Sequence, residues 1–429
     1  MNTDSKGPAS CVVWKVNVGR IHSKNCIVVD DNRLFIGTCG QHWNVDDDED
    51  GVVCLDAKTG SRIWFTPTGC DVNGICRAGR HLLCPTDRGS IFVLDANSGE
   101  VAGIFDLDAP ALSKPLVWHQ DDERWEAIAI SASGTIYRLE HTLRDIQTAA
   151  SLREPVRADV VDIGSPAKRA FVAVTESGLV IRCEIKENQI SPRILNRLTY
   201  TTPTFSECET ECKTASVIHA APATEGNAIF VGYARNTYYS TPPLICIDAV
   251  TGKEIWRAGQ LPTEHCGNCR TTPVVIGPYL IAAFAYSDSL HLFDKRTGAF
   301  LAAIRVGPLV FQQWSAPIKF GEHRILFGRI DGRLSIIDLN DKVLLAFISL
   351  AKGKLKFEPF DDLQCDRPYP LGPRRRPLGI CGTPTIVEDS VFVGTTSGEL
   401  FAINLRSVND SAHSRCNSTP ETDVQVERS

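Results

Sequence analysis

The feature that most constrains this chain is a short turn motif that returns along its whole length. The clearest copy is Gly51–Trp64, GVVCLDAKTGSRIW, in which an alternating apolar stretch leads into Asp56, a Thr-Gly pair and then Trp64. This alternation predicts a strand on each side of the turn. We expect the Asp56 carboxylate to accept backbone N–H groups of the turn, and Gly60 to adopt a positive φ.

The recurrence of this motif predicts the fold class. The acidic position returns at intervals of 39, 45, 44, 64, 46, 44 and 66 residues, at Asp56, Asp95, Glu140, Glu184, Asp248, Asp294, Asp338 and, in the last copy, as Asn404. A period in the forties with strand patterns is typical of the four-stranded blades of a β-propeller. We therefore predict an all-β, eight-bladed propeller of antiparallel blades. Seven blades is the alternative, because the Glu140 and Glu184 copies lack both Thr-Gly and Trp.

The two ends of the repeat region complement each other. The last copy, FAINL, is followed by no fourth strand, whereas Val12–Gly19 precedes the first repeat and resembles a fourth strand, with Trp14 in the place of Trp64. We expect residues 12–19 to complete the last blade and so to hide two sheet edges. The predicted propeller is a single domain over residues 12–405, with disordered ends at 1–11 and 406–429. Its blades are predicted at 20–68, 69–108, 109–153, 154–197, 214–260, 269–307, 308–350 and 378–405 with 12–19.

The sequences at Asp56–Trp64 (DAKTGSRIW) and Asp248–Trp256 (DAVTGKEIW) resemble the repeat of quinoprotein-type, or PQQ-like, propellers. The resemblance covers residues 12–405 and implies a fold more than a function. Such repeats occur in quinone-dependent alcohol dehydrogenases, in a bacterial outer-membrane assembly lipoprotein that acts as a scaffold, and as tails on adenylate-forming enzymes.

A quinone enzyme of this kind would hold PQQ between a Trp and a vicinal Cys-Cys disulfide, beside Ca²⁺ and a catalytic Asp. This chain has no adjacent Cys-Cys pair. Trp314, expected at the start of an innermost strand, is a candidate to face the channel and to contact a partner, but the rest of a quinone site is missing from the sequence. We therefore do not expect PQQ as a cofactor.

Net charge and the distribution of apolar residues disfavour some classes of binding partner. A net charge of −6 disfavours nucleic-acid binding. No stretch approaches the roughly 18–20 apolar residues that a membrane helix needs, and the N-terminus lacks the basic start and apolar core of a secretory signal. We expect a monomeric, cytoplasmic protein that contacts no membrane.

Three segments are longer than the repeat requires and are interpreted as insertions into the propeller. They are 199–216 together with 234–243, 351–377, and 40–50. All fall in connections that share one face of a propeller, so we expect them around the channel mouth. Binding and catalytic residues concentrate on such loops.

Sixteen cysteines are many for a chain of this length. Cys54, Cys84, Cys183 and Cys246 lie inside predicted strands and are interpreted as small core residues. Two other pairs, Cys208 with Cys212 and Cys266 with Cys269, precede neighbouring blades and have spacings suited to Zn²⁺ or an iron–sulfur cluster. His219, His265 and Cys381 are substitute ligands. Disulfides, or thiols with no joint role, remain open alternatives.

The insertion at 40–50 carries five consecutive carboxylates, at positions 46–50. Oxygen ligands suit Ca²⁺, but a solvated acidic hairpin tip is the favoured interpretation. Trp43, flanked by His42 and Asn44, is a candidate partner contact.

The function that these observations favour is an interaction scaffold with a protein partner, working through the cysteine-rich channel face. The alternative is a metal- or iron–sulfur-dependent redox enzyme, and a PQQ-dependent dehydrogenase is the third possibility. The sequence contains no G-x-S-x-G, phosphate-binding Gly loop or H-E-x-x-H motif. A chain that is not itself catalytic is therefore favoured, and an oxidoreductase is expected if it is an enzyme.

Overall fold

The structure is a computed structural model that describes residues 11–21, 27–41, 45–121, 123–165, 168–186, 189–202, 212–215, 218–234, 242–259, 261, 267–285, 287–310, 314–350, 354–356 and 379–406. The predicted disordered ends lie outside these residues, apart from Cys11 and Arg406.

Eight antiparallel sheets form the blades of an eight-bladed propeller, which confirms the predicted fold. Blades 1 to 4 follow one another in the chain. Their strands are β2 (Ile27–Asp30), β3 (Arg33–Cys39), β4 (Asp50–Asp56) and β5 (Arg62–Pro67) in blade 1; β6 (Cys76–Ala78), β7 (His81–Pro85), β8 (Ser90–Asp95) and β9 (Val101–Asp106) in blade 2; β10 (Leu116–His119), β11 (Trp125–Ile130), β12 (Thr135–Glu140) and β13 (Gln147–Ser151) in blade 3; and β14 (Val161–Asp162), β15 (Ala170–Val174), β16 (Leu179–Lys186) and β17 (Gln189–Arg197) in blade 4.

Blades 5 to 8 complete the ring. Their strands are β20 (Ala223–Glu225), β21 (Ala228–Gly232), β22 (Leu244–Asp248) and β23 (Glu254–Arg257) in blade 5; β24 (Val274–Ile276), β25 (Tyr279–Ala283), β26 (Ser287–Asp294) and β27 (Phe300–Val310) in blade 6; β28 (Ile318–Phe320), β29 (Arg324–Gly328), β30 (Arg333–Asp338) and β31 (Val343–Ser349) in blade 7; and β33 (Thr385–Val387), β34 (Ser390–Gly394), β35 (Glu399–Asn404) and β1 (Val12–Asn17) in blade 8.

Two insertions add strands of their own. The first forms a separate hairpin of β18 (Thr199–Thr202) and β19 (Cys212–Ala215) between blades 4 and 5. The second contributes β32 (Lys354–Lys356), which pairs with the outer edge of β31 as a fifth strand of blade 7.

The N-terminal strand closes the ring as predicted. β1 pairs antiparallel with β35, with Trp14 opposite Ala402 and Lys15 opposite Phe401. The indole N–H of Trp14 donates to the carbonyl of Ala57 in blade 1, at 3.1 Å. The first and last segments of the chain are therefore tied into one sheet, and that sheet is tied to its neighbour.

The core is a ring of apolar clusters, one at each boundary between blades. The cluster between blades 1 and 2, for example, joins Phe35 and Cys54 to Leu82 and Leu94. The other boundaries are filled in the same way. The second strands are consequently buried almost throughout, whereas outer strands such as β1 alternate. Cys54, Cys84, Cys183 and Cys246 are buried here as predicted.

The repeated turn has the chemistry expected of it. One Asp56 carboxylate oxygen accepts the N–H groups of Lys58 and Thr59 and the Thr59 hydroxyl, at 2.8 to 3.0 Å, and Gly60 has a φ of 71°. The Thr59 and Lys58 donors lower the pKa of Asp56, because they favour the ionised form. Asp248 and Asp294 make the same contacts.

The antiparallel order gives the propeller two different faces. Connections between second and third strands, and from each fourth strand to the next blade, lie on one face, here called the loop face. The repeated Asp turns join third to fourth strands on the opposite face, here called the turn face. The first strands of neighbouring blades contact each other around the axis.

Candidate functional site

The loop face carries all three predicted insertions. The β18–β19 hairpin and strand β32 both follow a fourth strand, and residues 40–49 connect β3 to β4. Long loops on a rigid scaffold are the usual place for binding residues. We therefore take the loop face as the candidate functional surface.

On the loop face, the segment that leads into a new blade packs against a glycine of the preceding blade in several places. Gly37 and Gly328, near or at the end of second strands, leave space for Val72 and Ile380 of the next blade, so that an added Cβ would lie 2.7 Å from Val72 and 2.6 Å from Ile380. Gly394 accommodates Ile21 in the same way. The backbone N–H groups of all three apolar residues donate to the strand-end backbone of the preceding blade. Each such side chain acts as a plug between two blades.

Cys269 is the plug between blades 5 and 6. Its side chain fills the space above Gly232, its N–H donates to the carbonyl of Tyr233 at 3.1 Å, and it is 0% exposed. Its thiol donates to the carbonyl of Thr271 at 3.5 Å. The predicted ligand therefore occupies the position that Val72, Ile380 and Ile21 hold elsewhere.

Cys381 immediately follows one of these plugs. It is buried, and desolvation raises the pKa of its thiol to about 12. Metal ligation and nucleophilic chemistry both require a thiolate. In the structure as it stands, Cys381 is a protonated, enclosed thiol.

Trp314 lies before blade 7 on the loop face. It packs with Cys381 and Ile330, and the guanidinium of Arg270 lies 5.2 Å from its ring centroid. We had predicted that Trp314 starts the innermost strand of blade 7. That strand, β28, begins at Ile318, so Trp314 precedes it. The structure thus brings together residues from the segments that precede the first strands of blades 6, 7 and 8.

Below this contact lies an ion pair that the sequence analysis missed. Arg329, 1% exposed, takes the place held by Thr or Ser in the hairpins of several other blades, and pairs with Asp331 at 3.1 Å. The R-x-D-G sequence at 329–332 was the available signal, since the corresponding hairpins read TDRG, SASG, TESG and TTSG.

Most of the other predicted site residues cannot be placed. Cys208, Cys266, His265, His42 and Trp43 lie outside the described residues. Cys212 belongs to β19 by its backbone, and His219 is half-buried. Within the part of the chain that the structure describes, no three His, Cys, Asp or Glu side chains form a group that could hold a metal. The Zn²⁺ or iron–sulfur site of the cysteine pairs stays a prediction.

A group of buried carboxylates on the loop face was not anticipated. Asp50 was predicted to belong to a solvated acidic tip, and that is wrong, because it is 0% exposed at the start of β4. Asp46, Asp48 and Glu49 are exposed as predicted. Asp71, in the segment between β5 and β6, is 2% exposed.

Burial dominates the electrostatics of this group. The pKa of Asp50 is raised to about 7, mainly by desolvation and in smaller part by the charges of Asp47, Asp71 and Asp87, while the hydrogen bond from the Asp47 backbone lowers it. Desolvation and the charge of Asp71 also raise the pKa of Asp87. The signal was absent from the sequence, because these aspartates come from separate segments.

Comparison with known proteins confirms the predicted resemblance. Residues 9–181 match the sequence model of the PQQ-type family described as outer membrane protein assembly factor BamB. The crystal structure of BamB from Moraxella catarrhalis superposes with a TM-score of 0.61 at 14% identity, covering 92% of this chain and 99% of that chain. The computationally designed Ika8 protein superposes with a TM-score of 0.59 at 12% identity, covering 90% and 98%.

At these identities the two solved structures share the fold alone. No curated protein matches the chain. Among the described residues, no helix has the length and apolar character needed to cross a bilayer.

Proposed function

We propose that this propeller is a protein-interaction scaffold that binds its partner through the loop face. The observation that carries the proposal is the position of the insertions, because all three depart from one face of an otherwise regular ring. Eight boundary clusters hold that ring rigid, so the loops are presented from a fixed platform. The family matched by residues 9–181 is named for a role in protein assembly, and this supports a protein partner.

The described part of the 40–49 loop indicates what kind of partner would fit. Val45 is 56% exposed, and the neighbouring Asp48 and Glu49 are exposed carboxylates. Asp46 is paired with Arg88 of blade 2, which ties the loop to the platform. An exposed apolar side chain within an acidic rim favours a partner that offers a basic surface around an apolar pocket.

Site-specific photo-crosslinking in the native host tests this assignment. A photoreactive residue is placed at Val45 on the loop face or, as a matched control, at Val250, a valine 50% exposed in the β22–β23 turn on the turn face. We expect a discrete crosslinked protein from position 45 that is absent from position 250. Equal crosslinking at both positions, or crosslinking from position 250 alone, would contradict the proposal.

Location and oligomeric state are part of the same proposal. We propose a monomeric propeller in the cytoplasm, to be checked by subcellular fractionation and by light scattering of the purified protein. Recovery in a membrane or exported fraction would replace the cytoplasmic assignment without affecting the crosslinking result.

A further inference from the structure

Three carboxylates from separate segments approach one another where blade 1 meets blade 2 on the loop face. Asp50 begins β4, Asp71 lies between β5 and β6, and Asp87 lies in the β7–β8 hairpin. The backbone joins the last two, since the N–H of Asp87 donates to the carbonyl of Asp71 at 3.1 Å. Both charges act on Asp50, although the three residues are far apart in sequence.

Only one of the two carboxylate oxygens of the buried Asp50 accepts a hydrogen bond. Its Oδ2 accepts the backbone N–H of Asp47 at 2.8 Å, whereas its Oδ1 is enclosed and accepts no hydrogen bond. Oδ1 of Asp87 is enclosed in the same way. An ionised carboxylate can only accept hydrogen bonds, and burying one of its oxygens without a protein donor is costly. A proton relieves that cost, because it removes the charge from Asp50.

We propose that Asp50, Asp71 and Asp87 form a proton-binding site that holds the β3–β4 loop in place while the proton is bound and loosens the loop when it leaves. The ligand of this site is a proton, and the contact that responds to pH is the one between Asp50 and Asp47 on the loop face.

Asp47 connects the site to the loop. Its own N–H is held by Asp50, and its two carboxylate oxygens accept the backbone N–H groups of Gln41 and Glu49, each at 2.8 Å. Thr38 adds a hydrogen bond to the carbonyl of Glu49 at 3.0 Å. Ionisation of Asp50 therefore adds a negative charge directly beside Asp47, the residue that organises residues 45–49.

The charged groups that act on Asp50 come from three segments, whereas its strand partner on β3, Cys39, is a buried cysteine. Its own loop contributes Asp47, the β5–β6 segment contributes Asp71, and the β7–β8 hairpin contributes Asp87. The hairpin also carries Arg88, which pairs with Asp46. The nearby Cys70 thiol is neutral, since burial raises its pKa. Loss of the proton from Asp50 thus adds a charge to an already negative group.

The working range follows from the burial of Asp50. Desolvation, with the charges of Asp47, Asp71 and Asp87 added to it, brings the pKa of Asp50 to about 7, far above the ordinary range of an aspartate. The loop that responds is the one that carries the exposed Val45, so the proton state would alter the loop face near neutral pH. This response of the loop to pH requires no partner on the loop face.

Hydrogen exchange of residues 38–52, followed by mass spectrometry on the full chain, tests the site. After correction for intrinsic exchange rates, we expect exchange to be about tenfold faster at pH 8.5 than at pH 5.5, equivalent to about one pKa unit of differential stability. Asp50→Asn, which keeps an Oδ acceptor but cannot ionise, should be slow at both pH values. The control Asp48→Asn, an exposed neighbour, should change as the unmodified protein does.

A second variant keeps the test decisive if Asp50→Asn fails to fold. Asp87→Asn removes one of the charges that raise the pKa of Asp50, so the midpoint of the exchange change should move to lower pH. Exchange of the unmodified protein that does not vary with pH would overturn the proposal. So would an Asp50→Asn variant that keeps the full change, or an Asp87→Asn variant with an unmoved midpoint.

Discussion

The indole ring of Trp64 in blade 1 lies against Gly99 in the Asp turn of blade 2. A Cβ added to Gly99 would lie 2.7 Å from two ring carbons, and Gly99 has a φ of 76°. The Thr66 hydroxyl donates to the carbonyl of Gly99 at 2.6 Å, which fixes the same turn. Trp14 and Gly60 repeat the contact between blades 8 and 1. Each pair joins two blades and needs glycine for both its space and its backbone conformation.

Gly99→Ala should therefore destabilise the propeller more than the backbone conformation alone explains. The matched control is Gly277→Ala, because Gly277 has a φ of 57° but no atom within 4 Å of an added Cβ. We expect a loss of about 1–2 kcal/mol for Gly277→Ala from the left-handed conformation, and a further loss of about 1–3 kcal/mol for Gly99→Ala from overpacking. Urea unfolding measures both. Equal losses would show that the Trp64 contact contributes nothing.

Closure of the ring by β1 gives a second prediction. Trp14→Ala should lower the free energy of unfolding by about 3 kcal/mol, since it removes the indole from the boundary cluster and its hydrogen bond to Ala57. Val13→Ala is the control on the same strand, because Val13 is 57% exposed and should cost less than about 0.5 kcal/mol. Thermal unfolding compares the two. Similar small effects would mean that β1 does not hold the ring closed.

Among the residues that the structure describes, the boundary between blades 3 and 4 shows no Trp–Gly pair and contains an ion cluster. Glu126, 5% exposed, pairs with Arg138 at 2.7 Å and with Arg169 of blade 4. The Arg169 guanidinium lies 5.7 Å from the ring of Trp118, whose indole N–H donates to Asp162 at 2.9 Å. At this boundary, charged and hydrogen-bonded side chains join the two blades where a Trp–Gly contact does so elsewhere.

Glu126→Gln should cost about 3–5 kcal/mol, because it leaves two arginines facing a neutral group in a buried site. Glu184→Gln is the control, since Glu184 is more exposed than Glu126 in its pairs with Arg182 and Lys186, and its substitution should cost less than about 1 kcal/mol. Denaturant unfolding separates the two. A small loss for Glu126→Gln would mean that the apolar cluster alone holds this boundary.

The sequence predicted the fold well because the blade is a local unit. The Asp56 carboxylate, the Thr59 hydroxyl and Gly60 contact one another within five residues, and the chain repeats that chemistry. Closure was also predictable, because Trp14 has a recognisable counterpart in Trp64. Both inferences required only comparison of the chain with itself.

The candidate site was less predictable because its contacts join distant segments. The spacing of Cys266 and Cys269 indicated a metal ligand, whereas the contact that decides the environment of Cys269 comes from Gly232 in the preceding blade. Asp50 looked like a solvent-exposed residue in a run of five carboxylates, but it is buried, and the charges of Asp71 and Asp87 from other segments act on it. Neither partner is visible in the local sequence.

Cys269→Val distinguishes packing from ligation. Valine is the residue that fills the corresponding position as Val72, so we expect the variant to stay within about 1.5 kcal/mol of the unmodified protein, as for other swaps of similar volume. Elemental analysis of anaerobically purified protein should give the same metal content for both forms. Stoichiometric zinc or iron that disappears in Cys269→Val would instead establish the predicted cysteine site.

The raised pKa of Asp50 also predicts how the stability of the whole molecule varies with pH. The folded-state pKa is about 7, whereas an unfolded aspartate titrates near 3.9. Below about pH 4 both states carry the proton, so the stabilising effect of protonation is complete. Between about pH 4 and pH 7 the unfolded chain loses its proton while the folded chain keeps it, and the free energy of unfolding falls as pH rises. Above about pH 7 this contribution is lost.

Asp50→Asn isolates this effect from the other titrating groups. The amide cannot ionise, so the variant should match the unmodified protein at pH 4 and exceed its stability at pH 8, with the difference growing by up to about 1.4 kcal/mol per pH unit between them. Denaturant unfolding at several pH values measures the difference, with Asp48→Asn as the exposed control. If the two aspartate variants diverge from the unmodified protein equally, or if Asp50→Asn is the less stable form at pH 8, then Asp50 does not bind its proton in the folded state.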